Sequence, residues 1–259
     1  MRVRCVSLRF LFSLNLSCMK LLSFGYTDVG FVRESNEDSF LVSDEKGIYA
    51  VADGLGGLPH GSLASRMAVQ FFDAMIANAD VCHTESELEN VVKGIHRFLI
   101  ENGEKVAGED GIGTTLTVLR SAGDKVLMGH VGDSAAFVLN GNGLQKLSKD
   151  HTLEQEILDK LKPGESIEEQ DLPEYYHHTL TRCLGQNTDF SVDLCEHSLS
   201  VGDRLLICSD GITNMIETEE LEKLCLASDD PKVCAMGIVD MANQYGGVDN
   251  STAVCVFAT

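Results

Sequence analysis

Four aspartates stand where an apolar stretch meets a turn: Asp53 closes "IYAVAD", Asp133 follows "LMGHVG", Asp210 closes "LLICSD" and Asp249 precedes the last apolar run in "GGVDNSTAVCVF". Taken singly, each is ordinary turn or cap chemistry, and Asp53-Gly54 is a common hairpin dipeptide. Their recurrence in parallel settings points to a shared task. If neighbouring strands bring several carboxylates to one end of a sheet, their repulsion in a partly dry site must be relieved by raised pKa values or by a bound cation. All-oxygen ligation selects hard ions such as Mg²⁺ or Mn²⁺. A calcium loop does not fit, because the D-x-[DN]-x-[DN]-G spacing with a distant Glu is absent from the sequence. Upstream, "GFVRESNEDSFLV" places Arg33 shortly before Glu37 and Asp38. Alone this is a surface ion pair of little worth. Facing a metal site, Arg33 would grip a phosphate through its planar fork of donors, while Glu37 and Asp38 would orient metal-bound water.

Those acids need strands to carry them. "KLLSFGYTD", "SFLVS" and "IYAVA" read as three short strands, the last two separated by a turn at "DEKG". After Gly61 the period becomes helical, with Leu63, Met67, Phe71 and Met75 alongside Ala68, Phe72 and Ile76. A second helix is predicted near Thr84, where "TESE" offers a capping box, with Leu88, Val91, Val92, Ile95, Phe98 and Leu99 buried. Sheet returns in "GTTLTVLR", "KVLMGHVG", "AAFVLN" and "LQKLS", spaced like an antiparallel meander. Residues 150–178 are acidic, carry Pro163 and Pro173, and offer one short helix around Leu153, Ile157, Leu158 and Leu161. They are expected to run over the surface as a segment that shapes a site. The tail alternates again: "FSVDLCEHSL", "DRLLICS", helices over 218–227 and 231–244, and a final strand "STAVCVFA". Runs of strands separated by helix pairs, without βαβ alternation, predict an α+β fold with largely antiparallel sheets.

Bulk composition narrows the function. A chain of 259 residues, 44% hydrophobic and 23% charged, can bury one large core, and no linker divides it. With 40 acidic against 20 basic side chains the formal charge is -20, which repels nucleic acid and anionic lipid and attracts divalent cations. Neither nucleic-acid binding nor stable membrane association is expected. Nine cysteines without a C-x-x-C pair, among them Cys208 and Cys255 inside apolar runs, argue for a reducing, cytoplasmic compartment and against a disulfide frame or structural zinc. The opening "MRVRCVSLRFLFSLNLSC" imitates a secretory signal, yet its apolar run is short, Asn15 interrupts it and no A-x-A site follows. A lipoprotein site at Cys18 would want an apolar residue where Asn15 stands. Residues 1–18 are therefore expected to be a loose extension, or to precede a start at Met19, leaving 19–259 as a single domain.

The stretches "GYTDVGFVRESNEDSF", "YAVADGLGGLPHGSLAS", "GIGTTLTVL", "GHVGDSAAFVL", "LSKDHTL", "LTRCLG", "LLICSDGITNMI" and "GGVDNSTAVCVF" occur in one order over roughly residues 22–258. In that order they resemble the metal-dependent protein phosphatases of type 2C, in their short bacterial form. The resemblance implies a sandwich of two mainly antiparallel sheets flanked by pairs of helices, in four αββα layers, with a two-metal centre at one end. Carried over, it implies that Asp53 bridges both ions, the Gly54 carbonyl binds one, Asp210 and Asp249 bind the other, and Asp133 helps hold a weaker third. Arg33 corresponds to the phosphate-binding arginine, and Glu37 and Asp38 to the acids that hydrogen-bond metal waters. The implied cofactors are Mn²⁺ or Mg²⁺. The implied chemistry is in-line attack on phosphorus by a hydroxide shared between two ions, with no covalent phospho-enzyme.

The implied function is a cytoplasmic, monomeric phosphatase that removes phosphate from phosphoserine and phosphothreonine in proteins and opposes a bacterial serine/threonine kinase, with residues 150–178 as a flap. A catalytically weak phosphoprotein-binding module on the same fold is the alternative. The chain departs from the family pattern at Leu55, where many members carry a histidine that is a candidate general acid, so that role is unassigned. Leu58, Ser62 and Ala135 replace a His, a Glu and an Arg common in the family. His60 is expected to start a helix, and His130, His151, His177 and His178 are given no role in the site.

Overall fold

In the computed structural model, residues 19–56, 58, 60–76, 82–108, 111–162, 165, 172–173, 175–187 and 190–259 are described. The expectations for residues 1–18, Gly57 and Pro163 lie outside them. The chain runs β1 (Leu21–Asp28), β2 (Asp38–Ser43), β3 (Ile48–Asp53), α1 (Gly61–Met75), α2 (Glu85–Ala107), β4 (Leu116–Ala122), β5 (Lys125–Val131), β6 (Ala135–Asn140) and β7 (Gly143–Lys146). It continues through α3 (Leu153–Leu158), α4 (Tyr175–His178), β8 (Asp193–Ser198), β9 (Arg204–Cys208), α5 (Asp210–Thr213), α6 (Thr218–Leu226), α7 (Pro231–Gln244) and β10 (Ser251–Ala258).

The strands form two five-stranded sheets in the orders β1-β10-β9-β6-β7 and β2-β3-β4-β5-β8. Every pairing is antiparallel. Side-chain alternation explains the layering. In β3, Tyr49 and Val51 point between the sheets, while Ile48, Ala50 and Ala52 meet α1 and α2. In β10, Val254 and Val256 point between the sheets, while Ala253, Cys255 and Phe257 join the core under α6 and α7. Central strands buried on both faces read as continuous apolar runs, and three stacked cores make four αββα layers.

Thr84 caps α2 as predicted: its Oγ1 accepts from the Glu87 N–H at 3.3 Å, and Glu87 Oε2 accepts from the Thr84 N–H at 3.1 Å. α7 starts at Pro231 behind Asp230, whose carboxylate accepts from the Lys232 N–H. Of the two expected rows on α1, Ala68, Phe72 and Ile76 are buried together with Ala64, Ser65 and Val69, while in the other row Met75 is exposed. Small residues let this helix lie close on the sheet, which leaves Phe71 to stack on Phe98 of α2 with ring centroids 4.1 Å apart.

Register places the acids. Asp38 of β2 pairs with Asp53 of β3, and Asp28 of β1 pairs with Ser251 at the start of β10. Cys208, the last residue of β9, pairs with Ala253 and with Ala135 at the start of β6. Antiparallel neighbours thus alternate ends and starts along one edge of the sandwich, so Asp53, Asp133, Asp210 and Asp249 all emerge there.

Candidate metal centre

Asp53-Gly54 is not a hairpin. The Asp53 N–H donates to Thr115 Oγ1 at 2.9 Å, and its carbonyl accepts from the Thr115 N–H at 2.8 Å and Thr114 Oγ1 at 2.7 Å. Gly54 then bridges Thr114, and its N–H donates to the Glu37 carbonyl at 3.1 Å. A Cβ on Gly54 would collide with the Gly61 carbonyl at the start of α1, so the close crossing requires glycine. Gly56 is less constrained, since its Cβ would come 3.3 Å from the side-chain tips Arg33 Nη1 and Glu37 Oε2.

The four strand-end aspartates converge, with Asp38 behind them. The Asp53 and Asp210 carboxylates come within hydrogen-bonding reach of each other. Burial first, and then the charges of Asp38, Asp210 and Asp133, push the Asp53 carboxyl well above the usual carboxylate range. Burial followed by the Asp210 charge does the same to Asp133, and burial followed by the Asp249 charge raises Asp210. Asp38 is enclosed between the sheets, where its Oδ2 accepts from Ser209 Oγ at 2.7 Å and Thr252 Oγ1 at 2.6 Å. Burial lifts its carboxyl to about 7, although both hydroxyls pull the other way. Asp133 and Asp210 line a cavity of about 110 Å³ with Asp150, Glu154, His177 and Asn214.

A hard divalent cation fits this donor set. Asp38 Oδ1 and Asp210 Oδ1 are buried without a hydrogen-bond partner, and the ionised forms of Asp38, Asp53, Asp133 and Asp210 are disfavoured by burial. Among the described residues, no three His, Cys, Asp or Glu side chains surround one ready-made point. Asp249 Oδ2 is turned to Arg33 Nη2 at 2.7 Å, and Asp210 Oδ2 accepts from Asn214 Nδ2 at 3.1 Å. Mg²⁺-type ions keep several waters and need only one or two carboxylates each, so a closed protein cage is not required.

Arg33 therefore pairs with Asp249, not with the nearby Glu37 and Asp38. The Glu37 side chain lies beside Gly61, while its backbone carbonyl serves Gly54 and Ser65. Leu55 packs against Gly113, and His60 sits at the N-cap of α1 with a left-handed φ of 64°. Two expectations change. Asp210 opens the single turn α5 instead of closing a strand, and His177 belongs to α4, paired with Glu154 at 2.9 Å on the cavity wall.

Sequence reasoning missed three supports. Asn250 clamps the arginine loop, donating to the Val29 and Ser35 carbonyls and accepting from the Glu37 N–H. Its position directly after Asp249 was the only signal. His151 Nδ1 accepts from the Gly132 N–H at 3.0 Å and Nε2 faces Asp193 at 3.1 Å, which holds the loop that carries Asp133. His130, buried beneath it, has Nε2 3.0 Å from the Lys149 carbonyl, and burial pushes its pKa down to about 3. A lone histidine in a strand carries no sequence mark of such a role.

A four-layer antiparallel sandwich with convergent carboxylates and an arginine at one end has the make-up of a metal-dependent phosphatase. The chain belongs to the protein phosphatase 2C family, whose model matches residues 32–229. It is similar to the serine/threonine phosphatase stp of Listeria welshimeri, 32% identical over 237 residues that cover 89% of this chain and 93% of the relative. Protein phosphatase PhpP of Streptococcus pneumoniae is 34% identical over 242 residues, covering 89% and 94%. Among solved structures, the catalytic domain of the serine threonine protein phosphatase PstP, in complex with 2 manganese ions, superposes with a TM-score of 0.80 at 26% identity, covering 93% of this chain and 99% of that one.

Proposed function

We propose that this chain is a metal-dependent protein phosphatase that hydrolyses phosphoserine and phosphothreonine in proteins. The observation that carries this is the meeting of Asp53 and Asp210, with raised pKa values and an unpaired buried oxygen, next to the Arg33–Asp249 pair. Asp53, the Gly54 carbonyl, Asp210 and Asp249 are the residues that would hold two Mn²⁺ or Mg²⁺ ions, and Asp133 would help hold a third. Such ions, when bound, polarise a phosphoryl group and make water a nucleophile near neutral pH.

The protein supplies the rest. Arg33, about half exposed at 48%, would exchange its Asp249 partner for the phosphate and hold it by two parallel N–H bonds. Asp38 keeps Oδ2 fixed on two hydroxyls and leaves Oδ1 buried without a partner, and it would accept a proton from a water held at the site. Glu37 stands across Gly56 from Arg33 and would order water on that side.

Residues 19–259 would act as one catalytic domain with 150–178 as its flap, which the cavity lined by Asp150, Thr152, Glu154 and His177 supports. The enzyme would be cytoplasmic and monomeric and would oppose a bacterial serine/threonine kinase, a reading supported by cysteines that stand free and mostly buried among the described residues. The test is release of phosphate from an aryl phosphate and from a phosphothreonine peptide, with and without Mn²⁺. Metal-dependent release that Asp53→Asn abolishes is expected; none, or equal release by the variant, would leave a phosphoprotein-binding module.

A further inference from the structure

Beside the metal centre, three apolar side chains face solvent: Phe31 is 75% exposed, Val32 66% and Val248 47%. Scattered exposed apolar residues need no explanation, but these adjoin one another. The Phe31 ring lies over Gly247, where a Cβ would come within 3.0 Å of Cδ2, and Val248 follows directly. Phe31 and Val32 lead into Arg33, and Val248 leads into Asp249.

The shelf is held in place. The Phe31 N–H donates to the Gly247 carbonyl at 2.7 Å, the Gly30 N–H donates to Asp28 Oδ1 at 2.8 Å, and Asn250 ties down Val29 at 2.9 Å and Ser35 at 3.1 Å. A loop whose backbone is already fixed loses little freedom when a ligand covers it. Phe31 and Val32 stand in the turn that leads from β1 to Arg33, so the shelf and the guanidinium belong to one loop.

We propose that Phe31, Val32 and Val248 dock the substrate polypeptide and favour proteins with apolar side chains flanking the phosphorylated serine or threonine. The proposal rests on the phosphatase assignment above. Continuity with Arg33 identifies the occupant: whatever chain delivers its phosphate to that guanidinium lays its neighbouring residues across the shelf. An aryl phosphate carries no polypeptide to lie across it.

The test compares the full chain with the double variant Phe31→Ser/Val32→Ser, with Mn²⁺ present. The substrates are two phosphothreonine peptides, flanked by leucine or by serine, and p-nitrophenyl phosphate. The expected result is a kcat/KM on the order of tenfold higher for the leucine peptide, the discrimination one apolar contact gives. The double variant loses that preference, Phe31→Leu keeps it, and turnover of p-nitrophenyl phosphate is unchanged in both. Equal kcat/KM for the two peptides in the wild type would overturn the proposal, as would a preference retained by the double variant. An equal loss on p-nitrophenyl phosphate would assign the shelf to propping Arg33, and a concentration-dependent dimer abolished by the variant would assign it to a second copy; either overturns the proposal. If the wild type turns over none of the three substrates, the phosphatase assignment fails and the shelf falls with it.

Discussion

Asp38→Asn should make the metal-free protein more stable and the enzyme worse. Burial, together with the Asp210 and Asp249 charges, lifts the Asp38 carboxyl from 3.8 to about 7 in the folded chain. A folded-state pKa above the unfolded one means that folding takes up a proton between those values. Stability from this group is fully present below pH 3.8 and is lost as pH rises to about 7. The loss is on the order of 4 kcal/mol at pH 8, a large part of a typical folding free energy. Asparagine stays neutral, can still accept from Ser209 and Thr252, and places an amide donor where Asp38 has a buried, unpartnered oxygen. The neighbouring acids interact with Asp38, so the variant also eases their ionisation, and the gap between the two proteins contains that relief as well as the Asp38 proton. The assay is urea unfolding in EDTA followed by far-UV circular dichroism, since the chain has no tryptophan. The variant should exceed the wild type by several kcal/mol at pH 8, with the gap narrowing to roughly 1–2 kcal/mol at pH 5. In Mn²⁺ its phosphatase turnover should drop. Equal stability at pH 8, or a gap that ignores pH, would refute the placement of an ionised acid in a dry pocket.

Mn²⁺ or Mg²⁺ should raise the melting temperature of the wild type, by about 2.7 kcal/mol of stabilisation at a hundredfold excess over Kd; Asp53→Asn should show no such shift in a thermal melt, while melting no lower than the wild type in EDTA. Arg33→Ala should lower kcat/KM for a phosphopeptide by roughly 10- to 100-fold, the worth of a charge-assisted contact, and leave the Mn²⁺ melting shift in place. Loss of that shift would mean Arg33 supports the ions rather than the phosphate. Gly54→Ala should cost at least ~2 kcal/mol in urea unfolding, because the added Cβ meets the Gly61 and Glu37 backbone carbonyls and no rotamer change relieves it. A variant of wild-type stability would show that the crossing of β3 and α1 is looser than described.

Local signals carried much of the architecture. The Thr84–Glu87 box, the Asp230-Pro231 start of α7 and the doubly buried run of β10 each follow from residues within a turn or two of one another, and so does the order of strands and helices. That Asp53, Asp133, Asp210 and Asp249 lie where a strand meets the next segment was legible for the same reason, although Asp210 belongs to α5 and not to β9. What escaped was set by contacts across the chain. Which apolar row of α1 is buried deepest depends on how closely small residues approach the sheet, which a helical period does not encode. The turns α4 and α5 are too short for periodicity to mark. Arg33 lies close in sequence to Glu37 and Asp38, yet its partner is Asp249, brought near because β1 pairs with β10. The burial of Asp38 comes from Ser209 and Thr252, and the grip on the arginine loop from Asn250, all from the far end of the chain. By itself the sequence determined which groups carry charge and which strands end in acids. Only the tertiary structure decided which carboxylates face each other, because the antiparallel register brings distant strand ends to one edge, and burial there shifts their affinity for protons and cations.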